Sequence, residues 1–199
     1  MTTTQTDRLV DDYLSRLEEA GVRVPHPYNF LDGVLIMEMI DDANGNAAPR
    51  LNDLELAPET AREYYGFLIG QVVRMLCVGI VHGDLSEYNV LVDRDGPVII
   101  DLPQAVDAAG NNSAKEMLER DVDNLKNYFG QFAPELLTTD YGKEIWKVYE
   151  SGDLTPEVAL TGKFERPKST PDVRAVMREI DDVVKEEEAR RRHKAMLDS

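Results

Sequence analysis

The chain has 199 residues, 42% of them hydrophobic, which suits one domain with a real core, with or without a tail. A net charge of −16 excludes the basic footprint that nucleic-acid binding needs and disfavours an anionic membrane surface. One cysteine excludes an intramolecular disulfide framework, no apolar run reaches membrane-spanning length, and polar Met1 to Asp7 lacks a signal-peptide core, so a cytoplasmic protein is expected.

Arg8 to Ala20 has Leu9, Tyr13, Leu14 and Leu17 on one face, and Gly21 at its end, which predicts a short helix. Val22 to Pro27 should be extended because of its prolines. Residues 28–31 and 34–37 flank Asp32-Gly33 and predict a hairpin. Met37-Glu38-Met39-Ile40 then reads as a strand end that packs Met37 and Met39 into core. Asp41 to Asn46 is turn chemistry.

Ala57-Pro58-Glu59 opens a long helix with proline in its first turn, apolar at Tyr64, Phe67, Leu68, Val72, Met75 and Leu76, and stopped by Gly79. Cys77 reads as a buried core thiol of that helix. Ala105 to Asn112 is a loop. Ser113 to Phe129 is a helix with Ser113 as cap and Glu116 at the capping-box position. Pro134 to Tyr149 predicts another helix, with Leu136, Leu137, Ile145, Trp146 and Tyr149 in the core. Thr155-Pro156-Glu157 reads as a helix start and Thr161 to Pro171 as a linker. A helical pattern from Val173 to Val184 runs into a charged stretch, Lys185 to Lys194.

The stretch that carries chemistry runs from Val81 to Gln104. His82-Gly83-Asp84 is followed by Asn89 five residues after Asp84 and by Asp101 twelve residues after Asn89. Between them, Val90-Leu91-Val92, turn residues Asp93 to Gly96, and Val98-Ile99-Ile100 predict a hairpin that brings Asn89 and Asp101 side by side. The pattern H-x-D-x-x-x-x-N with a strand-borne aspartate is that of a kinase catalytic loop and metal-binding aspartate. Phosphoryl transfer from ATP needs a carboxylate near the acceptor hydroxyl and oxygen ligands for Mg²⁺. Asp84 is the candidate base, and Asn89 and Asp101 are the candidate metal ligands. His82 is expected to hydrogen-bond backbone rather than shuttle protons, and no residues have zinc-ligand spacing.

H-G-D-L-S-E-Y-N followed by I-I-D-L-P-Q-A-V resembles the RIO family of atypical serine/threonine protein kinases, in its bacterial type-one-like branch. Further matches are A-G-V-R-V-P-H-P-Y-N-F at 20–30, M-E-M-I at 37–40, A-P-R-L at 48–51 and E-R-D-V-D-N-L at 119–125. Small-molecule kinases of the aminoglycoside and choline type share H-G-D-L-x-x-x-N but lack the Ser-Glu-Tyr filling and the glutamine after the metal aspartate. The resemblance implies an α+β, protein-kinase-like fold and use of ATP and Mg²⁺ on a protein substrate. It implies that the Glu38 carbonyl and Ile40 amide meet the adenine edge. It also implies that Asp121 holds the catalytic loop from below, and it puts the helix position usually held by glutamate at Val10. Residues 1–40 would be a remnant N-terminal lobe and hinge, 41–165 the C-terminal lobe, and 166–199 a charged helix.

Two features of a complete kinase are not found in the 199 residues. No Gly-x-Gly-x-x-Gly occurs, and the first lysine is Lys115, beyond Asp101. The expectation is therefore a fold reduced to hinge hairpin and C-terminal lobe, with the hairpin open to association with another chain. Two further functions stay open: a degenerate, non-catalytic lobe that binds nucleotide or a protein partner, and a small-molecule kinase.

Overall fold

The computed structural model describes residues 12–31 and 34–164. The expectations for Leu9, Val10, the Asp32-Gly33 turn and everything beyond Phe164, including the charged helix, lie outside the described residues. Residues 12–19 are helical (α1), with Tyr13, Leu14 and Leu17 buried, and Gly21 turns the chain out at φ +74°. Strands β1 (Pro27–Leu31) and β2 (Val34–Met37) pair antiparallel, with an irregularity between Pro27 and Asn29. Much of this hairpin faces solvent: Tyr28, Leu31, Val34, Ile36, Met37 and Met39 are all exposed. Met37 and Met39 thus do not pack into core; among the described residues the two strands pair only with each other.

The core is built on α2 (Pro58–Cys77). It starts with proline at the first turn and ends before Gly79 at φ +75°. Ala61, Tyr65, Leu68, Ile69, Val72, Val73, Met75 and Leu76 are buried, and Tyr64 and Phe67 are partly so. Cys77 is only half-buried, on the flank of this face; burial raises its pKa. No helix among the described residues is long and apolar enough to cross a membrane.

The remaining sheets are small. β3 (Ile80–Val81) pairs with β6 (Val106–Asp107), and β4 (Val90–Asp93) pairs with β5 (Gly96–Ile99), both antiparallel. Helix α3 (Ala114–Phe129) packs on α2 and on α4 (Tyr141–Ser151). Tyr65 and Phe129 lie with ring centroids 5.8 Å apart at the centre of this layer, both essentially inaccessible.

Three local expectations are corrected. Ser113 makes no side-chain cap; its own amide bonds to Asn111 Oδ1 at 2.8 Å, so an Asx turn, not a capping box, starts α3. The span from Pro134 to Tyr149 is two elements, a 3-10 turn (Pro134–Thr138) and α4. Thr138 and Thr139 turn their hydroxyls back onto the Glu135 and Leu136 carbonyls, both at 2.8 Å, and Leu137 is left exposed. Thr155 starts a single turn closed by the Val158 amide, not a helix. The chain then extends to Thr161 and Gly162, whose amides Glu144 captures at 2.8 Å.

Gln71 is 5% exposed in the middle of α2. Its Oε1 accepts the Arg23 amide at 2.7 Å, while the Arg23 carbonyl accepts the Ile99 amide at 2.9 Å. The segment after α1 is thereby fixed between α2 and β5. Gln71→Leu would leave the Arg23 amide unpaired in a partly buried place. Stability should fall by about 1–3 kcal/mol, read as a lower urea midpoint; an unchanged midpoint would count against this role.

Candidate active site

β3 delivers His82 into the interior, where it is 2% exposed. Its Nε2–H donates to the Ile100 carbonyl at 3.0 Å, and its Nδ1 accepts the Asp84 amide at 3.3 Å. Those two bonds require the neutral ring with the proton on Nε2. Burial pushes the His82 pKa down, against the opposing pull of the Ile100 carbonyl, Asp101 and Asp84. The histidine therefore ties the loop holding Asp84 to the end of β5.

Asp121 of α3 lies below the same loop. Its carboxylate accepts the Gly83 amide at 2.8 Å and the Leu85 amide at 3.0 Å. Arg120 donates to the Gly83 carbonyl, and Asn124 Nδ2 donates to the Leu85 carbonyl at 3.1 Å. Every polar backbone group of Gly83 and Leu85 is thus met from one helix. Asn124 is absent from the sequence-derived site, although it lies within the quoted stretch 119–125 and one turn beyond Arg120. Gly83 itself sits at φ +82°, and a Cβ there would come within 2.7 Å of the Gln104 carbonyl oxygen, so no larger residue fits.

The β4–β5 hairpin forms with Val90 opposite Ile99 and Asp93 opposite Gly96. One step beyond, the Ile100 amide donates to the Asn89 carbonyl at 3.0 Å. Asn89 is thereby held next to the residue that precedes Asp101. The Asn89 side-chain Nδ2 donates to the Asp84 backbone carbonyl at 2.8 Å. Only the NH₂ end of an amide can do so, which leaves Asn89 Oδ1 available as a ligand. Asp101 has φ +68°, the left-handed region that few non-glycine residues enter. Its exposed side chain lines a cleft of about 210 Å³ with Leu14, Pro25, Leu35, Met37, Ile100, Leu102 and Pro103. The cleft is apolar apart from this one carboxylate.

Glu38 and Ile40 do not line that cleft; they follow Met37, which does. The Glu38 amide donates to the His26 carbonyl at 2.8 Å, and the Ile40 carbonyl accepts the Ala48 amide at 3.0 Å. Among the described residues, the Glu38 carbonyl and Ile40 amide have no backbone partner. No cluster of three or more His, Cys, Asp or Glu that could hold a metal occurs among those residues. A divalent ion at this site would rest on one carboxylate, one amide oxygen and ligands from outside the protein. That donor set fits Mg²⁺, which uses few protein groups and keeps phosphate and water oxygens.

A histidine-anchored loop, a helix-borne aspartate beneath it and a hairpin leading to a second aspartate beside an apolar cleft define a protein-kinase-like fold of α+β class. The RIO domain profile matches residues 10–142, and the chain belongs to the RIO domain family. It is 37% identical over 143 residues to the RIO-type serine/threonine-protein kinase Rio1 of Haloferax volcanii, covering 66% of this chain and 47% of that protein. The Rio1 kinase of Thermoplasma acidophilum is 41% identical over 116 residues, 58% of this chain and 59% of that one. Serine/threonine-protein kinase RIO1 of Chaetomium thermophilum is 35% identical over 134 residues, 63% and 26% respectively. The aligned part spans between a quarter and three fifths of the length of these relatives.

Burial pushes the Asp121 carboxyl up to about 6, against the pull of the Gly83 and Leu85 amides and Arg120. The folded protein then holds that proton more tightly than an unfolded chain with the ordinary 3.8, so this group's contribution to stability falls as pH rises through that window. Wild type should lose stability relative to Asp121→Asn by up to about 3 kcal/mol between pH ~4 and ~6, with no further change above. Urea unfolding of both proteins across that range checks it; a pH-independent difference would contradict it.

Proposed function

We propose that the chain carries out ATP-dependent phosphoryl transfer to a serine or threonine hydroxyl of a protein substrate. Asp84 is the base, Asn89 and Asp101 are the Mg²⁺ ligands, and the cleft beside Met37 takes the adenine. The observation that carries this is the double use of Asn89. Its NH₂ is tied to the Asp84 carbonyl and its own carbonyl to the Ile100 amide, so one residue sets both the base and the approach to Asp101.

The acceptor oxygen attacks the γ-phosphorus, forming the new O–P bond, while the bond to the bridging oxygen of ADP breaks. The hydroxyl proton passes to the Asp84 carboxylate. Bound Mg²⁺ would neutralise phosphate charge. Asn89 Oδ1 and the Asp101 carboxylate would hold the metal, and the loop that His82 and Asp121 support orients Asp84. Backbone groups of Glu38 and Ile40 would complete adenine recognition where the β1–β2 hairpin meets the cleft.

A second reading is a nucleotide-binding lobe with little turnover. It is favoured by the lack of any lysine before Lys115 to position the α- and β-phosphates. Loss of such positioning lowers rate far more than it lowers binding.

Incubation with [γ-³²P]ATP and Mg²⁺ separates the two readings. Under the first, wild type transfers label and Asp84→Ala loses about 10²-fold or more of the rate while binding nucleotide as before. No label above the Asp84→Ala background would leave the second reading. Asp101→Asn tolerates the left-handed backbone, so it should keep the fold by circular dichroism. It should weaken Mg²⁺-dependent ATP binding about tenfold or more by calorimetry, the loss expected on removing a charged metal ligand. Equal binding would remove Asp101 from the metal site.

A further inference from the structure

The side chain of Gln104 is used by nothing described so far. Its Nε2 lies 3.3 Å from Asp84 Oδ2. The other donor near that oxygen is Asn89 Nδ2 at 3.5 Å, but the same nitrogen sits 2.8 Å from the Asp84 backbone carbonyl and is directed there. Gln104 is therefore the better-placed donor to the Asp84 carboxylate among the described residues. No donor meets Asp84 Oδ1 among them, so that oxygen is left open.

Backbone geometry puts Gln104 in this position. Leu102 is buried, 2% exposed. Its carbonyl accepts the Ala105 amide at 2.9 Å, closing a turn with Pro103 and Gln104 at its centre. Proline presets φ at the first central position of such a turn. The Gln104 carbonyl then abuts Gly83, the residue before Asp84, at the point where only a glycine leaves room. One four-residue segment thus begins with Asp101 at the cleft and ends with the amide that reaches Asp84.

We propose that Gln104 is a positioning residue: it holds Asp84 Oδ2 so that Oδ1 faces the acceptor hydroxyl, and it couples the orientation of Asp84 to the segment carrying Asp101. This rests on Asp84 being the base. An amide suits the task because it donates a hydrogen bond without adding charge, so Asp84 keeps its negative charge for the incoming proton. A lysine here would partly neutralise it, and a carboxylate would repel it.

The test uses the 199-residue chain and three variants. In ¹H–¹⁵N spectra, the side-chain NH₂ signals lost in Gln104→Leu are those of Gln104, and Asp84→Ala should shift them. In the phosphoryl-transfer assay, Gln104→Leu should lower kcat about tenfold with KM for ATP changed less than twofold, since misorientation acts on the reacting groups rather than on nucleotide binding. Gln104→Glu should show a larger deficit that narrows as pH falls from about 8 to about 5, because the introduced carboxyl repels Asp84 when ionised and donates to it when protonated. Unmoved Gln104 signals in Asp84→Ala, or wild-type kcat in Gln104→Leu, would overturn the proposal. If wild type transfers no phosphate, the kinase reading fails separately. The contact is then decided by the ¹³C signal of the Asp84 carboxyl in Gln104→Leu: a shift upholds it and an unchanged signal overturns it.

Discussion

A buried carboxylate, Asp121, holds the loop from Gly83 to Leu85 in shape. Asp121 takes two loop amides that would otherwise be left without partners in a region closed to water. An unmet buried amide costs about 1–3 kcal/mol, so these two bonds decide whether the turn at Gly83 can exist in the interior at all. Burial raises the Asp121 pKa, which is the opposing electrostatic effect. Arg120 and Asn124 complete the arrangement from the same helix, and α3 itself packs on α2, with Phe129 against Tyr65. The loop inherits its position from the core by way of one helix face.

His82 and Asn89 join this loop to the β4–β5 hairpin from opposite sides. His82 reaches the Ile100 carbonyl, and Asn89 receives the Ile100 amide on its own carbonyl. Both polar groups of Ile100 are held by residues that flank Asp84, which ties the residue before Asp101 to the segment that carries Asp84. At Asp101, past the end of the hairpin, the backbone is left-handed and the residue lines the cleft. Backbone in that region is tolerated where its surroundings over-determine it.

Long, strongly periodic elements were legible in the residues alone. α2 and α3 and both hairpins follow from apolar spacing, glycine stops and turn residues, and each is found where that spacing puts it. The errors lie where side chains compete with backbone. Thr138 and Thr139 break a helix that apolar spacing alone would continue, and Asn111 supplants Ser113 at the start of α3. Met37 and Met39 look like core residues by type, yet β2 has no layer over it among the described residues to make them so.

What the sequence determined by itself is the list of chemical groups and the local turns that separate them. His82, Asp84, Asn89 and Asp101 stand at spacings that short-range geometry can interpret, because a two-residue turn fixes the register of the strands on either side. What only the tertiary structure decided is which distant side chains close on that loop. Gln71 meeting Arg23, Asn124 meeting Leu85 and Gln104 meeting Asp84 are pairings separated by 48, 39 and 20 residues. No local periodicity encodes them. They arise when the packed elements bring polar groups together; the first two persist because a polar group taken out of water needs a partner, whereas the Gln104–Asp84 contact is exposed.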